Sequence, residues 1–376
     1  MPSYRLKTQQ DCEDFVRGCT VMGTGGGGGP SRGLRQLASA MADGLQPGWT
    51  DAQDLADDAW VACPFLMGSI APKTPDALAE MRELGMTDVR YPNAIMNAIQ
   101  ELEIYTGKKI SAVVPIELGG GNTPESVVQA ARLSIACVDG DYTGRAIPEI
   151  TQITPVLFDK PLDPIAGVDE WGNISIIKTA INPGLSERLG KYLAVAAHGL
   201  VCMAGILVTG KECKEIVVKS TLSRCLKLGQ TIRAARASGS DVPAATAKAM
   251  DGWVVFKGVV SEKKWEDRAG YYWGTHTLTG IEDFAGQTLK VWFKNENHVS
   301  WLNDKPFITS PDLICLVNRE TGEPKTNDSV LEGDVMAVIG AKAPRPFIER
   351  PKGLEVLGPK HFGFDLPFVP IEQRLK

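Results

Sequence analysis

The sequence predicts an α/β protein of two domains, and three observations support this. The length of 376 residues exceeds what one ordinary hydrophobic core organises. Residues 109–138 run in the order apolar strand, loop, capped helix and apolar strand, which is typical of a βαβ unit. From residue 253 onward, β-type segments alternate with turn residues. We therefore expect an α/β domain with a mostly parallel sheet over 1–165 and a β-rich domain with helices over 166–376.

The individual elements follow from apolar periodicity and from turn and capping residues. In the first half, the pattern predicts helices at 9–19, 31–43, 75–84, 91–106 and 123–133, and strands at 59–66, 109–116 and 134–138. Prolines 155, 161 and 164 indicate a linker. The second half predicts helices at 184–198 and 212–238, and β-segments at 253–262, 270–279, 287–294, 298–303, 312–318 and 334–340.

Composition excludes several classes of function. A net charge of -5 argues against nucleic acid as a partner, which would need a basic face. No apolar run approaches the ~20 residues needed to cross a bilayer, and the first residues lack the apolar core of a signal peptide. The eight cysteines include no Cys-x-x-Cys pair, which favours buried thiols in a reducing compartment. We expect a cytoplasmic protein without a membrane partner.

The glycine run at 23–29 is the most unusual stretch of the chain, and it allows three interpretations. Its spacing satisfies the dinucleotide pattern Gly-x-Gly-x-x-Gly, but the preceding segment is predicted to be a helix, and the lysine of a P-loop is missing. The loop amides of Gly25, Gly26, Gly27 and Gly28 are therefore expected to bind a substrate carboxylate or carbonyl. Close packing of two helices is the alternative.

Acidic side chains follow two strands of the predicted βαβ unit. Glu117 and Asn122 follow the first strand, and Asp139 and Asp141 follow the second. Because parallel strands end at one edge of a sheet, these side chains are expected to converge there. Such carboxylates repel one another, so the site would need a cation, an arginine or a raised pKa. The alternative is that these acids only cap turns.

Four further polar residues are candidates for the same site. Arg145 and Glu149 lie shortly after the acidic loops. The segment 295–298 is predicted to be a polar hairpin tip, from which Glu296 and His298 could reach the other domain. A role of asparagine as a turn former is the alternative for this segment.

These motifs resemble those of one family. The segments 18–29, 117–122, 138–141, 144–149, 295–297, 311–314 and 358–365 occur in the order found in the S-methyl thiohydantoin desulfurase-like family, which is associated with hydantoinase and oxoprolinase genes. The resemblance extends from about residue 10 to 366. It implies an α/β sandwich followed by a barrel-like β-domain, and a cytoplasmic enzyme acting on a small five-membered cyclic ureide.

The resemblance implies metal-dependent hydrolytic desulfurisation of a thiohydantoin. On this hypothesis some of Asp139, Asp141 and Glu117, together with a histidine or Cys63, hold a divalent metal that activates water, with zinc expected for a thiolate ligand and magnesium or manganese for carboxylates alone. Glu149 would act as general base. Arg145 and the glycine loop would hold the substrate, beside Asn122, Glu296 and His298. A homo-oligomer is expected, with a hydantoinase-type partner as a further hypothesis.

Two other functions stay open at this stage. The chain could be an ATP-using, ring-opening component of a hydantoinase or oxoprolinase, in which case the glycine loop would hold phosphate. It could also be a non-catalytic partner subunit of such a complex. Tight ATP binding would distinguish the first alternative, and assembly defects upon substitution of Asp139 or Asp141 the second.

Overall fold

Two β-sheets organise the chain in the computed structural model, which describes residues 2–68 and 73–375. The strands are β1 (Tyr4–Arg5), β2 (Gly48–Trp49), β3 (Trp60–Gly68), β4 (Ile110–Val113), β5 (Ala136–Cys137), β6 (Gly140–Asp141), β7 (Ile165–Val168), β8 (Ile174–Ile177), β9 (Leu200–Thr209), β10 (Val218–Lys219), β11 (Trp253–Arg268), β12 (Tyr271–Gly280), β13 (Thr288–Lys294), β14 (Glu296–Leu302), β15 (Lys305–Thr309), β16 (Leu313–Asn318) and β17 (Val335–Ala341). The helices are α1 (Gln9–Met22), α2 (Pro30–Ala42), α3 (Pro75–Glu83), α4 (Ala94–Thr106), α5 (Asn122–Leu133), α6 (Thr154–Leu157), α7 (Pro183–Ala196), α8 (Gly210–Ile216), α9 (Thr221–Ser238), α10 (Val242–Ala249), α11 (Pro346–Glu349), α12 (Pro351–Leu357) and α13 (Ile371–Arg374).

The first sheet has the strand order β5-β4-β3-β9-β7-β8. The predicted βαβ unit is present as β4-α5-β5, and its two strands are parallel. β4 is also parallel to β3, whereas β9 is antiparallel to both β3 and β7, and β7 is antiparallel to β8. The sheet is therefore mixed and not mostly parallel. The expected domain boundary at 165/166 falls at the start of β7, and the sheet continues beyond it to Thr209.

The second sheet is antiparallel, with the strand order β15-β14-β13-β12-β11-β17-β16. Its two edge strands, β15 and β16, contact each other, so the sheet curls into a half-barrel around an apolar core. The predicted fold class, an α/β domain joined to a β-rich, barrel-like domain with helices, is confirmed. No helix among the described residues is long and apolar enough to span a membrane.

Local sequence signals explain the helices that later position the site. Thr8 and Asp11 form a capping box at the start of α1. The side chain of Asn182 accepts a hydrogen bond from the N–H of Leu185 and begins α7, with Pro183 in the first turn. β3 is an almost continuously buried run, as expected for a strand covered on both faces. Its alternate side chains enter two separate apolar cores.

The segment 343–371, which we call the C-terminal strap, ties the two sheets together. Phe347 and Leu357 of the strap are buried in a core of the first sheet, whereas Ile371 is buried in the core of the half-barrel. Both ends of the strap are held by the carboxylate of Asp312, which accepts hydrogen bonds from the N–H of Ala343 at 2.8 Å and of Ile371 at 2.7 Å. The strap therefore crosses from one domain to the other and back.

Candidate active site

Glu117 is a buried carboxylate at the end of the βαβ strand β4. Asn122, the first residue of α5, donates a hydrogen bond of 2.6 Å to its Oε1, and the N–H of Ile147 donates one of 2.8 Å to its Oε2. Burial disfavours the charged form and raises the pKa of Glu117 to about 7, even though both hydrogen bonds favour ionisation. At neutral pH this side chain can therefore accept or release a proton.

Glu296, the first residue of β14, brings a second buried carboxyl group from the half-barrel. Its Oε1 accepts a hydrogen bond of 3.2 Å from the N–H of Gly27, and its Oε2 has no hydrogen-bond partner within the described residues. Burial, followed by the negative charge of Glu117, raises the pKa of Glu296 well above its usual range. The negative charge of either carboxyl group therefore disfavours ionisation of the other.

Helix α7 contributes a buried ion pair with helical i,i+4 spacing. The Nζ of Lys191 lies 3.9 Å from Oε1 of Glu187, and it donates hydrogen bonds to the carbonyl of Gly68 at 3.2 Å and of Gly270 at 3.4 Å. Burial lowers the pKa of Lys191, whereas the nearby carboxylates of Glu187 and Glu296 oppose this effect. A cation is thus buried among the carboxyl groups of this site.

Glu117, Glu187 and Lys191 line a small cavity of about 30 Å³, a volume that holds about one water molecule. Its polar wall consists of Glu117, Asn122, Glu149, Glu187 and Lys191. Its apolar wall comes from β3 and the loops that follow β4 and precede α6, with Phe65, Leu66, Met67, Ile116, Ile147, Pro148 and Ile150. The cavity therefore provides a water-sized space beside a titratable carboxylate and an ammonium group.

The glycine loop packs against a second glycine run and cradles a protein carboxylate. The carbonyl of Gly27 accepts hydrogen bonds of 3.1 Å from the N–H groups of Gly121 and Asn122. A Cβ on Gly26 would lie 1.9 Å from Oε1 of Glu296. The glycines of the loop thus allow its backbone to lie close to Glu296, and the N–H of Gly27 already binds the carboxyl group of Glu296. Contacts of Gly25 and Gly28 with a substrate stay a prediction.

Arg145 is fully buried, and its guanidinium is surrounded by oxygen atoms of the protein. Its N–H groups donate to the carbonyls of Ala146, Pro311, Asp312 and Asn297 and to the hydroxyl of Thr24, at 2.8–3.4 Å. Every N–H of the guanidinium is used in this way. The structure therefore places Arg145 as a clamp between the glycine loop and the half-barrel, and not as a group facing the cavity.

Glu149 lies at the rim of the cavity and pairs with cations of the half-barrel and the strap. Lys294 bonds to its Oε1, and Nε2 of His361 lies 3.1 Å from its Oε2. Burial alone would raise the pKa of Glu149, but the hydrogen bond from His361 and the charge of Lys294 lower it to about 2. A carboxylate that stays ionised to such low pH is a weak general base.

His298 is buried on β14 and is not exposed at a hairpin tip. Its imidazole stacks on the ring of Phe362 with 3.9 Å between the ring centroids. Burial, aided by the positive charge of Arg145 and Lys294, lowers the pKa of His298 well below its usual range, so the ring is neutral. Because β14 already begins at Glu296, the polar segment 295–298 is mostly strand.

The residues proposed as metal ligands do not fit a metal as the structure places them. Asp139 accepts hydrogen bonds from the N–H of Ser223 at 3.0 Å and from its hydroxyl at 2.5 Å. Oδ1 of Asp141 accepts from the N–H groups of Thr143 and Gly144 at 2.6 and 2.5 Å. Burial raises the pKa of the Cys63 thiol well above its usual value. Over residues 2–68 and 73–375, no three His, Cys, Asp or Glu side chains form a group that could hold a metal.

Comparison with known families covers nearly the whole chain. Residues 10–179 match the family model described as the S-Me-THD-like N-terminal domain, and residues 182–371 match the model of the S-Me-THD-like C-terminal domain. The chain belongs to the S-Me-THD-like family. No curated protein matches this S-Me-THD-like chain significantly.

A solved structure shares the fold of this S-Me-THD-like protein. A crystal structure of a protein from Chromobacterium violaceum aligns with a TM-score of 0.75 and 21% sequence identity. The alignment covers 98% of this chain and 100% of the other. The same two-domain fold is therefore seen experimentally in that protein.

Sequence reasoning missed four residues of the candidate site: Glu187, Lys191, Tyr271 and Lys294. Glu187 and Lys191 have the i,i+4 spacing of an ordinary surface ion pair, so their burial was not evident. Tyr271 belongs to a run of three aromatic residues in a predicted strand, a pattern typical of sheet packing. The mainly apolar character of α7 around a Glu–Lys pair is the one signal that could have indicated a buried pair.

Proposed function

We propose that this S-Me-THD-like protein hydrolyses a five-membered thiohydantoin, replacing the thiocarbonyl sulfur by oxygen and releasing hydrosulfide. The observation that carries the proposal is the buried pair Glu117 and Glu296 beside Lys191 and a water-sized cavity. Membership of the family supports a thiohydantoin-related substrate.

Glu117 is the general base in this proposal. With a pKa of about 7 it is partly ionised at neutral pH, and Asn122 and Ile147 fix the direction of its carboxylate. It removes a proton from a water molecule in the cavity while the water oxygen bonds to the thiocarbonyl carbon. The π electrons of the C=S bond move onto sulfur.

Lys191 stabilises the negative charge that develops on sulfur, since a preorganised ammonium group in a dry site favours an anionic intermediate. Glu117 passes its proton to the sulfur and then takes the proton of the new hydroxyl group. The C–S bond breaks, hydrosulfide leaves and the carbonyl forms. The proton left on Glu117 returns to solvent, so one water is consumed for each hydrosulfide released.

Glu296 keeps the net charge of the pair low. Burial raises the pKa of Glu296 well above its usual range, which favours the protonated, uncharged form beside Glu117. No step is assigned to a metal, because the proposed ligands Asp139, Asp141 and Cys63 are hydrogen-bonded or neutral elsewhere. Contacts of the substrate with His298 and the glycine loop, a homo-oligomeric state and a hydantoinase-type partner remain proposals.

The test is hydrosulfide release from a thiohydantoin, with the hydantoin product identified by mass spectrometry. Glu117→Gln should lower kcat by roughly 10²–10⁴-fold, as expected for loss of a general base. Asp139→Asn is the matched comparison, because the carboxylate of Asp139 bonds to Ser223. Equal losses in both variants would favour the acidic edge predicted from the sequence, and an unchanged rate in Glu117→Gln would overturn the proposal.

A further inference from the structure

Two ammonium groups lie close to the ring of Tyr271. The Nζ of Lys191 is 4.0 Å from its centroid, and the Nζ of Lys294 is 3.9 Å from it. Tyr271 is the first residue of β12 and is only 8% exposed, so both contacts are largely shielded from water. A desolvated cation over an aromatic face is stabilised by the ring quadrupole.

The phenol group of the same residue binds the carboxylate that pairs with Lys191. The O–H of Tyr271 donates a hydrogen bond of 2.5 Å to Oε1 of Glu187, the oxygen that lies 3.9 Å from the Nζ of Lys191. The other oxygen of Glu187 accepts from the N–H of Ile150 at 2.8 Å. The phenol therefore competes with the ammonium group for the charge of Glu187.

These contacts cross from one domain to the other. Glu187 and Lys191 belong to α7, which packs on β3 and β9 of the first sheet, whereas Tyr271 begins a strand of the half-barrel. The carbonyl of Gly270, in the turn that leads into this strand, also accepts a hydrogen bond from Lys191. Two consecutive residues of the half-barrel thus hold one lysine of the other domain.

We propose that Tyr271 is a positioning residue, which holds the ammonium group of Lys191 in place from the second domain and sets its protonation equilibrium. The inference rests on the role proposed above for Lys191. The ring of Tyr271 favours the charged ammonium group of Lys191. The hydroxyl of Tyr271 weakens the electrostatic attraction between Glu187 and that ammonium group. The titratable groups that face Lys191 are Glu117 after β4, Glu187 on α7, Glu149 in the rim loop, Lys294 on β13 and Glu296 on β14.

Two substitutions separate the two functions of Tyr271. Tyr271→Phe keeps the ring but frees Glu187 from the phenol, so the pKa of Lys191 should rise by about half a unit. Tyr271→Leu removes the ring as well, so the pKa should fall by about one unit relative to Tyr271→Phe. Tyr272→Phe is the control, because this neighbouring ring stacks on Phe293 and lies 5.7 Å from Lys263.

The pKa of Lys191 can be measured by NMR from the ¹⁵Nζ resonance of labelled protein, assigned with Lys191→Arg. Opposite shifts in the two Tyr271 variants, with the Tyr272→Phe value unchanged, support the proposal. A Lys191 pKa in Tyr271→Phe equal to that of the parent protein overturns it, and this variant preserves the shape of the core should Tyr271→Leu fail to fold. Because this readout needs no turnover, it is independent of whether the parent protein releases hydrosulfide.

The activity profile provides a second readout. The alkaline limb of kcat for hydrosulfide release should move with the pKa of Lys191, upward in Tyr271→Phe and downward in Tyr271→Leu relative to that variant. A purely structural role would lower kcat without moving this limb. An alkaline limb at the same pH in all variants contradicts the positioning role.

Discussion

Gly26 and Glu296 approach so closely that a Cβ on Gly26 would lie 1.9 Å from Oε1 of the carboxylate. The contact joins the glycine loop of the first domain to the half-barrel, and it places the second carboxyl group near Glu117. Both halves of the chain therefore contribute a carboxyl group to the pair formed by Glu117 and Glu296.

Gly26→Ala should displace Glu296 and destabilise the protein by about 1–3 kcal/mol, the usual cost of overpacking a buried site. Hydrosulfide release should fall in the same variant. Gly29→Ala is the matched control, because a Cβ there meets no atom within 4 Å, and its stability should stay within about 0.5 kcal/mol of the parent. Denaturant unfolding measures the stability of both variants. Equal stabilities of Gly26→Ala and Gly29→Ala would contradict the close contact between Gly26 and Glu296.

Glu117→Gln should change how stability depends on pH. Since burial raises the pKa of Glu117 to about 7, above its unfolded value, the folded state binds the proton more tightly. The resulting stabilisation is complete below about pH 4.3 and is lost as the pH rises through 7. Between pH 4.5 and 8, the free energy of unfolding of the parent should therefore fall by up to about 3 kcal/mol relative to that of Glu117→Gln. Parallel stability curves for the two proteins would be inconsistent with a raised pKa.

Arg145→Lys should destabilise the fold, because a lysine cannot reproduce the forked set of hydrogen bonds that reaches Thr24, Asn297 and Asp312. With three or more buried hydrogen bonds lost, the expected cost is about 3 kcal/mol in denaturant unfolding. Arg35→Lys, at an exposed position of α2, is the control. A fully stable Arg145→Lys protein that has lost only substrate affinity would restore the substrate-binding role predicted from the sequence.

Asp312→Ala should loosen the C-terminal strap. The variant leaves the N–H groups of Ala343 and Ile371 without their acceptor, at a cost of about 1–3 kcal/mol each. Hydrogen exchange should accelerate at both ends of the strap. Asp365→Ala, an exposed carboxylate within the strap, should leave exchange there unchanged. Unaltered protection of Ala343 in Asp312→Ala would show that other contacts hold this end.

Local patterns account for most of the fold. The βαβ unit and the helices of the first half depend on short-range signals and lie within a few residues of their predicted bounds. The helix predicted over 212–238 is wrong, because β10 separates α8 from α9, and the strand predicted over 253–262 continues to Arg268. The insertion of β9 between β3 and β7 depends on long-range pairing and leaves no local signal. For this reason the first sheet is mixed.

The site was predictable only in part, for the same physical reason. Glu117 and Asn122 share one loop and one helix start, so their proximity follows from local geometry. The burial of Lys191 depends on Gly270 and Tyr271, some 80 residues away in another domain. Asp139 points to Ser223 at the start of α9, a partner that no spacing rule indicates. Long-range docking thus decides which charged residues face the cavity.

Because β9 comes from the second half of the chain, the first half alone cannot complete the first sheet. The first sheet needs β9, from residues 200–209, and its core needs Phe347 and Leu357 from the strap. A chain limited to residues 10–179 would leave β3 and β7 with facing unpaired edges, which favours aggregation. The two halves recognised by separate family models therefore do not behave as interchangeable modules, and recombination between genes would have to exchange them together.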